Sequence, residues 1–309
     1  MKKFVVKLLI FIALIIGFDF ILGSIFSRFY FKVKSGTIFT ANYAIRDCKE
    51  DILLLGASEI SHHFISNTIK DSIGLSCYNL GMDGLNIYFQ YAVFQEIVKR
   101  HAPKILILST NTLSDAEKQS VATIESLLPY CERYNAIKKM VIDADSTEKF
   151  KLLSNSYPYN SLIIKIFQGL IIKEPKTNGY EPLWGSGINL RLNTNPQRLN
   201  TTPKSINYFS DLVILAKKSG CKVYIVQAPR YQINNSAEDQ LLFTSLSDKH
   251  KVPFLNYLPD TKFTNHPEYF KDGAHLNNQG AEILTNMLIA DLKKDNKLNQ
   301  NSGNDALVQ

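Results

Sequence analysis

The chain has 309 residues, is 45% hydrophobic, and carries 35 basic against 28 acidic residues for a net charge of +7. That apolar content excludes a disordered chain and is ample for one large domain or two small ones. The basic residues form no dense block interleaved with aromatics, so a nucleic-acid partner is not supported; the mild excess fits no more than an anionic lipid or glycan surface.

At the amino terminus Lys2, Lys3 and Lys7 precede an apolar run from Leu8 to Phe26 whose only charge is Asp19, and Arg28, Lys32 and Lys34 follow. About 20 apolar residues in a helix cross a bilayer. The run has no polar face, no small-x-small cleavage site and no closely following Cys, so residues 1–30 read as an uncleaved single-pass anchor. The basic end then lies inside and the body is exported to the periplasm or cell envelope. Asp19 is costly at mid-membrane and tolerable near the outer interface. Residues 31–50, aromatic and mixed in charge, read as a juxtamembrane stalk.

Ile52 to Leu55 form a continuous apolar run into Gly56-Ala57-Ser58, the pattern of a buried parallel strand ending in a tight turn that opens a helix. A side chain at that point lies in the crevice where open α/β sheets bind ligands, although a Ser there also serves as an ordinary helix cap. A short strand at Cys77-Tyr78 leads into Asn79-Leu80-Gly81-Met82-Asp83-Gly84 and an aromatic helix from Ile87 to Arg100. Lys104 to Leu108 make a third strand, ending in Ser109-Thr110-Asn111-Thr112. The βαβα alternation predicts a parallel sheet covered on both faces.

Residues 128–203 break the rhythm. Tyr130, Tyr134, Tyr157, Tyr159, Tyr180 and Trp184 accompany proline turns and a Gly/Asn-rich loop from Asn178 to Pro203, and Ile163 to Ile172 reads as a short buried helix. The segment is expected to be an insertion or lid over the sheet edge, its aromatics serving either sugar stacking or core packing. Regular structure returns with a helix over Ile206–Ser219, a strand over Lys222–Val226 ending at Gln227-Ala228-Pro229-Arg230, a helix over 236–249 and a short strand near Val252–Leu255. Then come Asp272-Gly273-Ala274-His275-Leu276-Asn277, a final helix from Asn278 to about Lys294, and a polar tail at 296–309 expected to be disordered.

A serine hydroxyl needs a base within hydrogen-bond reach, itself oriented by a third group, and an acyl-transfer intermediate needs preorganised donors. Of the six His residues, His275 is best placed for Ser58, with Asp272 three residues earlier to hold its tautomer. The backbone N–H groups of Ser58 and Gly84 and the Asn111 amide all fall at strand carboxyl ends, with Gly81 a rival to Gly84. His62, Arg230 and His266 are further candidates for contact with substrate. Cys48, Cys77, Cys131 and Cys221 are scattered with no CxxC or Cys/His pairing, which argues against structural zinc; disulfides and buried free thiols both remain open.

The order Gly-x-Ser, Asn-x-Gly-x-x-Gly, Asn and Asp-x-x-His-Leu-Asn-x-x-Gly over residues 51–295 resembles the SGNH (GDSL-type) hydrolases, with 128–203 unmatched. The resemblance implies a flavodoxin-like three-layer α/β sandwich around a central parallel sheet, and esterase, lipase, deacetylase or acyltransferase chemistry without metal or other cofactor. It assigns Ser58 as nucleophile, His275 as base, Asp272 as its orienting acid, and Ser58, Gly84 and Asn111 as oxyanion donors. Ala57 stands where the family usually has Asp, Glu59 follows the nucleophile, and Ser-Thr-Asn-Thr lacks the usual Gly-x-Asn-Asp form. With the anchor, these features predict an enzyme removing or transferring an acyl group, acetyl in the first instance, on a cell-envelope or exported glycan. The alternatives are a catalytically inert SGNH-fold binding or assembly module and a plain anchored scaffold.

Overall fold

The computed structural model describes residues 1–115, 117–172, 177–187, 198–231 and 236–305, without the side chains of 117–119 and 296–305. Five strands, β1 (Ile52–Leu55), β2 (Cys77–Asn79), β3 (Ile105–Ser109), β4 (Lys222–Gln227) and β5 (Phe254–Asn256), form one parallel sheet in the order β2-β1-β3-β4-β5. That is the flavodoxin-like doubly wound order, whose ligand crevice lies outside the carboxyl ends of the strands at the β1/β3 switch point. Both Ser58, after β1, and Asn111, after β3, fall there.

The apolar strands are explained by burial on both faces. Leu53 and Leu55 of β1, Leu106 and Leu108 of β3, and Val223 and Ile225 of β4 enter one core cluster, while Ile52, Leu54, Ile105, Ile107, Tyr224 and Val226 enter the other. Successive side chains alternate between faces, so a continuous apolar run serves both layers.

The helices are α1 (Lys2–Tyr30), α2 (Gly36–Arg46), α3 (Ser58–His63), α4 (Ser66–Ile73), α5 (Ile87–Val98), α6 (Glu117–Leu127), α7 (Asn135–Ala144), α8 (Glu148–Lys151), α9 (Ile163–Ile171), α10 (Pro203–Lys218), α11 (Ala237–His250), α12 (Thr261–Thr264) and α13 (Asn278–Asp305). Helices α2, α5 and α10 cover the first face; α3, α4 and α13 cover the second. Local caps fix the helix ends: Asn86 caps α5, Thr202 forms a capping box with Ser205 at α10, and Gly74 closes α4 in the left-handed conformation that a residue without Cβ adopts freely.

Three expectations are corrected. Residues 31–50 are not a stalk: α2 buries Ile38, Ala41, Ala44 and Ile45 in the main core, because its apolar residues recur at helical spacing and meet α5. Helix α13 runs on to Asp305 instead of stopping near 294, since no proline interrupts it; only 306–309 of the expected tail lie outside the described residues. Finally, α9 is not buried. Ile166 and Gly169 face the body, but Ile164, Phe167 and Ile171 point outward.

The insertion divides in two. Residues 128–172 pack beside α1 and α2, where Tyr30, Tyr130 and Tyr159 form a cluster of edge-on rings. Residues 177–187 instead cross the carboxyl edge of the sheet: Asn79 N–H donates to Asn178 O, Glu181 N–H to Ser61 O, and Asn278 N–H to Leu183 O. The middle of the Gly/Asn-rich loop, 188–197, lies outside the described residues. Tyr130, Tyr159 and Tyr180 are buried and Tyr134 and Tyr157 pack on the core, so core packing accounts for these aromatics; Trp184 is the exposed one.

Candidate active site

Ser58 is the first residue of α3, and its N–H therefore lies outside the helical hydrogen-bond ladder. The turn before it is tightly packed: a Cβ on Gly56 would stand 2.2 Å from Ile60 Cγ1. Gly56 O also accepts from Gln90 Nε2 at 2.7 Å and from Met82 N–H at 3.1 Å, which ties the β1 turn to α5 and to the loop after β2. Ala57, at the N-cap of α3, makes no side-chain capping bond.

His275 Nε2 lies 2.8 Å from Ser58 Oγ, although the two residues are 217 positions apart. On the other side of the ring, Nδ1 lies 3.0 Å from both carboxylate oxygens of Asp272. Asp272 Oδ1 also accepts the backbone N–H groups of Ala274 and His275, each at 2.9 Å, so the short loop is wrapped around its own carboxylate. Burial raises the Asp272 pKa, but the bonds from His275 and Ala274 outweigh it and hold the carboxyl below its usual range. A carboxylate on Nδ1 keeps the proton there and leaves the Nε2 lone pair facing Ser58.

The loop after β2 is fastened by Asn79, whose Nδ2 donates to Ile60 O at 2.6 Å and to Phe64 O at 2.9 Å, and whose Oδ1 accepts from Gly81 N–H at 2.9 Å. Gly81 is therefore committed to structure, with its Cα pressed against α3: an added Cβ would lie 2.2 Å from Ser61 N. Gly84 differs, because it has φ +72° and its N–H has no partner among the described residues. Of the two rival glycines, it is the one with a donor to spare.

Asn111 lies on a 3-10 turn, Thr110–Leu113, directly after β3. Its Oδ1 accepts from an Arg230 terminal NH2 at 2.9 Å, and Arg230 Nε donates to Glu59 Oε1 at 2.6 Å. Arginine has donors only, so the amide must turn its oxygen toward Arg230, and the Nδ2 donors face away from that contact. The Glu59 carboxylate is 4% exposed, and Ser109 Oγ stands 3.4 Å from its other oxygen. This Glu59–Arg230–Asn111 chain joins three strand ends, β1, β4 and β3.

Two neighbouring histidines are structural in their contacts. His62 has both nitrogens engaged, Nδ1 with Glu181 O at 2.7 Å and Nε2 with Asp83 Oδ2 at 3.1 Å, and its ring lies edge-on to His275 at 5.7 Å. Burial lowers its pKa, but the Asp83 carboxylate and the Glu181 carbonyl together raise it above the ordinary value. His63 is fully buried and accepts Leu276 N–H at Nε2, 3.0 Å, tying the last block to α3; burial first, then the neighbouring positive groups, pushes its pKa well down.

The structure joins Ser58, His275 and Asp272 by hydrogen bonds; Asn111 is linked through Arg230 to Glu59, the residue after Ser58, and Gly84 follows Asp83, the partner of His62. His62 and Arg230 lie beside them but are occupied by protein partners. His266 pairs with Glu268 at 2.8 Å and stacks on Tyr269. The pairings Glu59–Arg230 and His62–Asp83 are not legible in the sequence alone. A carboxylate directly after Ser58 and an arginine at another strand end are the only traces of the first pairing, and the parallel topology is what joins residues 171 positions apart.

No group of metal-ligating side chains occurs among the described residues. The four cysteines are free and buried.

No protein-family model matches the sequence, and no curated protein matches it. Among solved structures, the chain is similar to a Bacteroides fragilis protein assigned as an acylhydrolase, at 15% identity and TM-score 0.42 over 82% of this chain and 94% of that one. It is also similar to a GDSL-like lipase of Bacteroides thetaiotaomicron, at 15% identity and TM-score 0.41 over 79% and 88% of the two chains.

Proposed function

We propose that the chain is a membrane-anchored serine ester hydrolase or O-acyltransferase of the SGNH type. The observation that carries the reading is the Ser58–His275–Asp272 alignment at the switch point of the sheet, with Oγ 2.8 Å from Nε2 and the carboxylate 3.0 Å from Nδ1. In this reading Ser58 Oγ attacks the ester carbonyl as His275 Nε2 takes its proton. The oxyanion is held by the N–H groups of Ser58 and Gly84 and by Asn111 Nδ2. Collapse expels the alcohol, which leaves with the proton from His275, and an acyl-Ser58 ester remains. Water, or a hydroxyl of an acceptor, then attacks that ester while His275 takes its proton and returns it to Ser58.

The anchor reading is supported by the way α1 is built into the body. Tyr30 at its end is buried, and Asp19 within the apolar run accepts from Ser154, Asn155 and Ser156, so removing the helix as a leader would strip groups from the fold. An enzyme tied to a bilayer meets substrate confined to its surface, and the finer proposal is acetyl groups on a cell-envelope or exported glycan.

Fluorophosphonate labelling of the full chain in detergent tests the chemistry: wild type should carry one adduct at Ser58 and Ser58→Ala none. A folded wild-type protein that takes no label would overturn the hydrolase reading in favour of an inert binding or assembly module. Acetate release from O-acetylated glycans, lost in Ser58→Ala, tests the substrate.

A further inference from the structure

The base of α1 carries an apolar surface that the catalytic reading does not use. Phe150 and Leu153 on one side and Ile164, Phe167, Ile171 and Ile172 on the other are all between 51% and 82% exposed. Both groups flank the helix. Leu153 is two residues from Asn155, whose backbone carbonyl lies so close to Gly23 that an added Cβ would approach it to 2.4 Å. Phe167 packs on Phe29 with ring centroids 6.5 Å apart. Helix α9 contains no acidic residue, and its exposed face repeats at i, i+3 and i+7 beside a single cation, Lys165. A second exposed cation, Lys149, has its Nζ 4.7 Å from the Phe150 ring centroid.

The length of α1 says what covers this surface. A 30 Å hydrocarbon layer takes about 20 helical residues. Counted from Phe4, the span ends near Gly23; counted from Leu8, after the last basic residue of the amino terminus, it ends near Ser27. Asp19, however, is held by the body: Ser154 Oγ donates to it at 2.7 Å, Asn155 N–H at 2.7 Å and Ser156 Oγ at 2.6 Å. The loop that carries Leu153 is thus fixed at the level of residues 19–23, with Asp19 about 6–12 Å inside the outer hydrocarbon boundary and Gly23 between that boundary and about 6 Å inside it. Only 15 residues, Phe4 to Phe18, lie between the basic Lys3 and Asp19, about 22 Å of helix, and tilting would shorten their reach further. A body standing clear of the bilayer is incompatible with a full span.

We infer that the face formed by Phe150, Leu153, Ile164, Phe167, Ile171 and Ile172 is a lipid-docking surface that sinks into the outer leaflet around α1. The inference rests on α1 spanning the bilayer as proposed above. Lys149 and Lys165 then meet anionic headgroups at the rim. Asp19 is shielded from lipid by the loop that caps it, and the body is held at two places, which sets one orientation of the catalytic edge over the membrane.

The test is a depth measurement on the full chain in phosphatidylcholine/phosphatidylglycerol vesicles. The native cysteines are all buried. An environment-sensitive NBD probe is placed in turn at Leu153→Cys, Leu14→Cys in α1 and Leu241→Cys, an exposed apolar residue of α11 distant in sequence from this face. Lipids carrying a doxyl quencher high or low on the acyl chain report depth. The inference expects Leu14 quenched most by the deep quencher, Leu153 blue-shifted and quenched most by the shallow one, and Leu241 unaffected. Quenching at Leu14 with a water-like probe at Leu153 would leave the anchor standing and overturn the docking surface. A blue-shifted Leu153 probe that lipids do not quench would mean that protein, a second copy or a partner, covers the face, and would overturn it too. A Leu14 probe that lipids do not quench would remove the anchor and this inference together.

Discussion

At the scale of single residues, the candidate site is defined by directional bonds whose loss should have unequal effects. Asp272 holds His275 through both carboxylate oxygens and also accepts two backbone N–H groups, so Asp272→Asn disturbs the tautomer and the loop at once. Under the proposed mechanism it should lower kcat/KM on a nitrophenyl ester by roughly two to four orders of magnitude, with Ser58→Ala at the uncatalysed background. The same residue predicts a pH effect. The Asp272 carboxyl is depressed in the folded state, so the stability it contributes is present above the ordinary carboxyl pKa and is lost as pH falls through the depressed value. Acid unfolding followed by circular dichroism should therefore be less steep on the acid side in Asp272→Asn than in wild type. An unchanged curve would mean that the bonds around this half-exposed carboxylate are too well screened to matter.

Between elements, the decisive contact is Glu59–Arg230–Asn111. Glu59 is nearly inaccessible, so Arg230→Met should leave a buried charge without its partner, costing about 3–5 kcal/mol in urea denaturation; Glu59→Gln in the same chain should recover much of it. Arg230 also holds the Asn111 amide, so the rescued double variant should still show reduced kcat with little change in KM if Asn111 Nδ2 acts on the transition state. The two glycines after β2 offer a second comparison. Gly81→Ala forces a Cβ into the α3 backbone and should destabilise by about 1–3 kcal/mol or displace α3. At Gly84 the added Cβ meets open space, so Gly84→Ala pays only the left-handed backbone strain, about 1 kcal/mol, and any larger fall in activity than in stability points to the N–H.

At the scale of the whole molecule, α1 and the body are one structure. The Asp19 contacts, the Gly23–Asn155 packing and the burial of Tyr30 join the apolar helix to the insertion, and α2 continues it into the core. Gly23→Leu should separate helix from loop: the prediction is a lower thermal midpoint in detergent and new proteolysis near residues 153–156. Fluorophosphonate labelling should persist, because the hydrogen bonds that hold Ser58, His275 and Asp272 involve neither segment. A protease pattern identical to wild type would argue that α1 and the loop are held elsewhere.

The sequence by itself determined the parts whose cause is local or periodic. The apolar runs specified the strands, their alternation with helices specified a parallel sheet, and the spacing of Asp272 and His275 specified a pair that closes within one turn. The order of the blocks placed Ser58, Gly84 and Asn111 at strand carboxyl ends because every connection in such a sheet returns to the same edge. The spacing after Asn79 already favoured Gly84 over Gly81; only the tertiary structure decided that Glu59 and Arg230 pair and that His62 is occupied on both nitrogens. The same is true of residues 31–50, which read as a spacer because their polar residues hide a helix whose buried face is recognisable only against α5. Helix α9 read as buried because it is mostly apolar, whereas its outer face is exposed beside α1. In each of these cases the partner lies far along the chain, and burial is a property of the pair rather than of the residue.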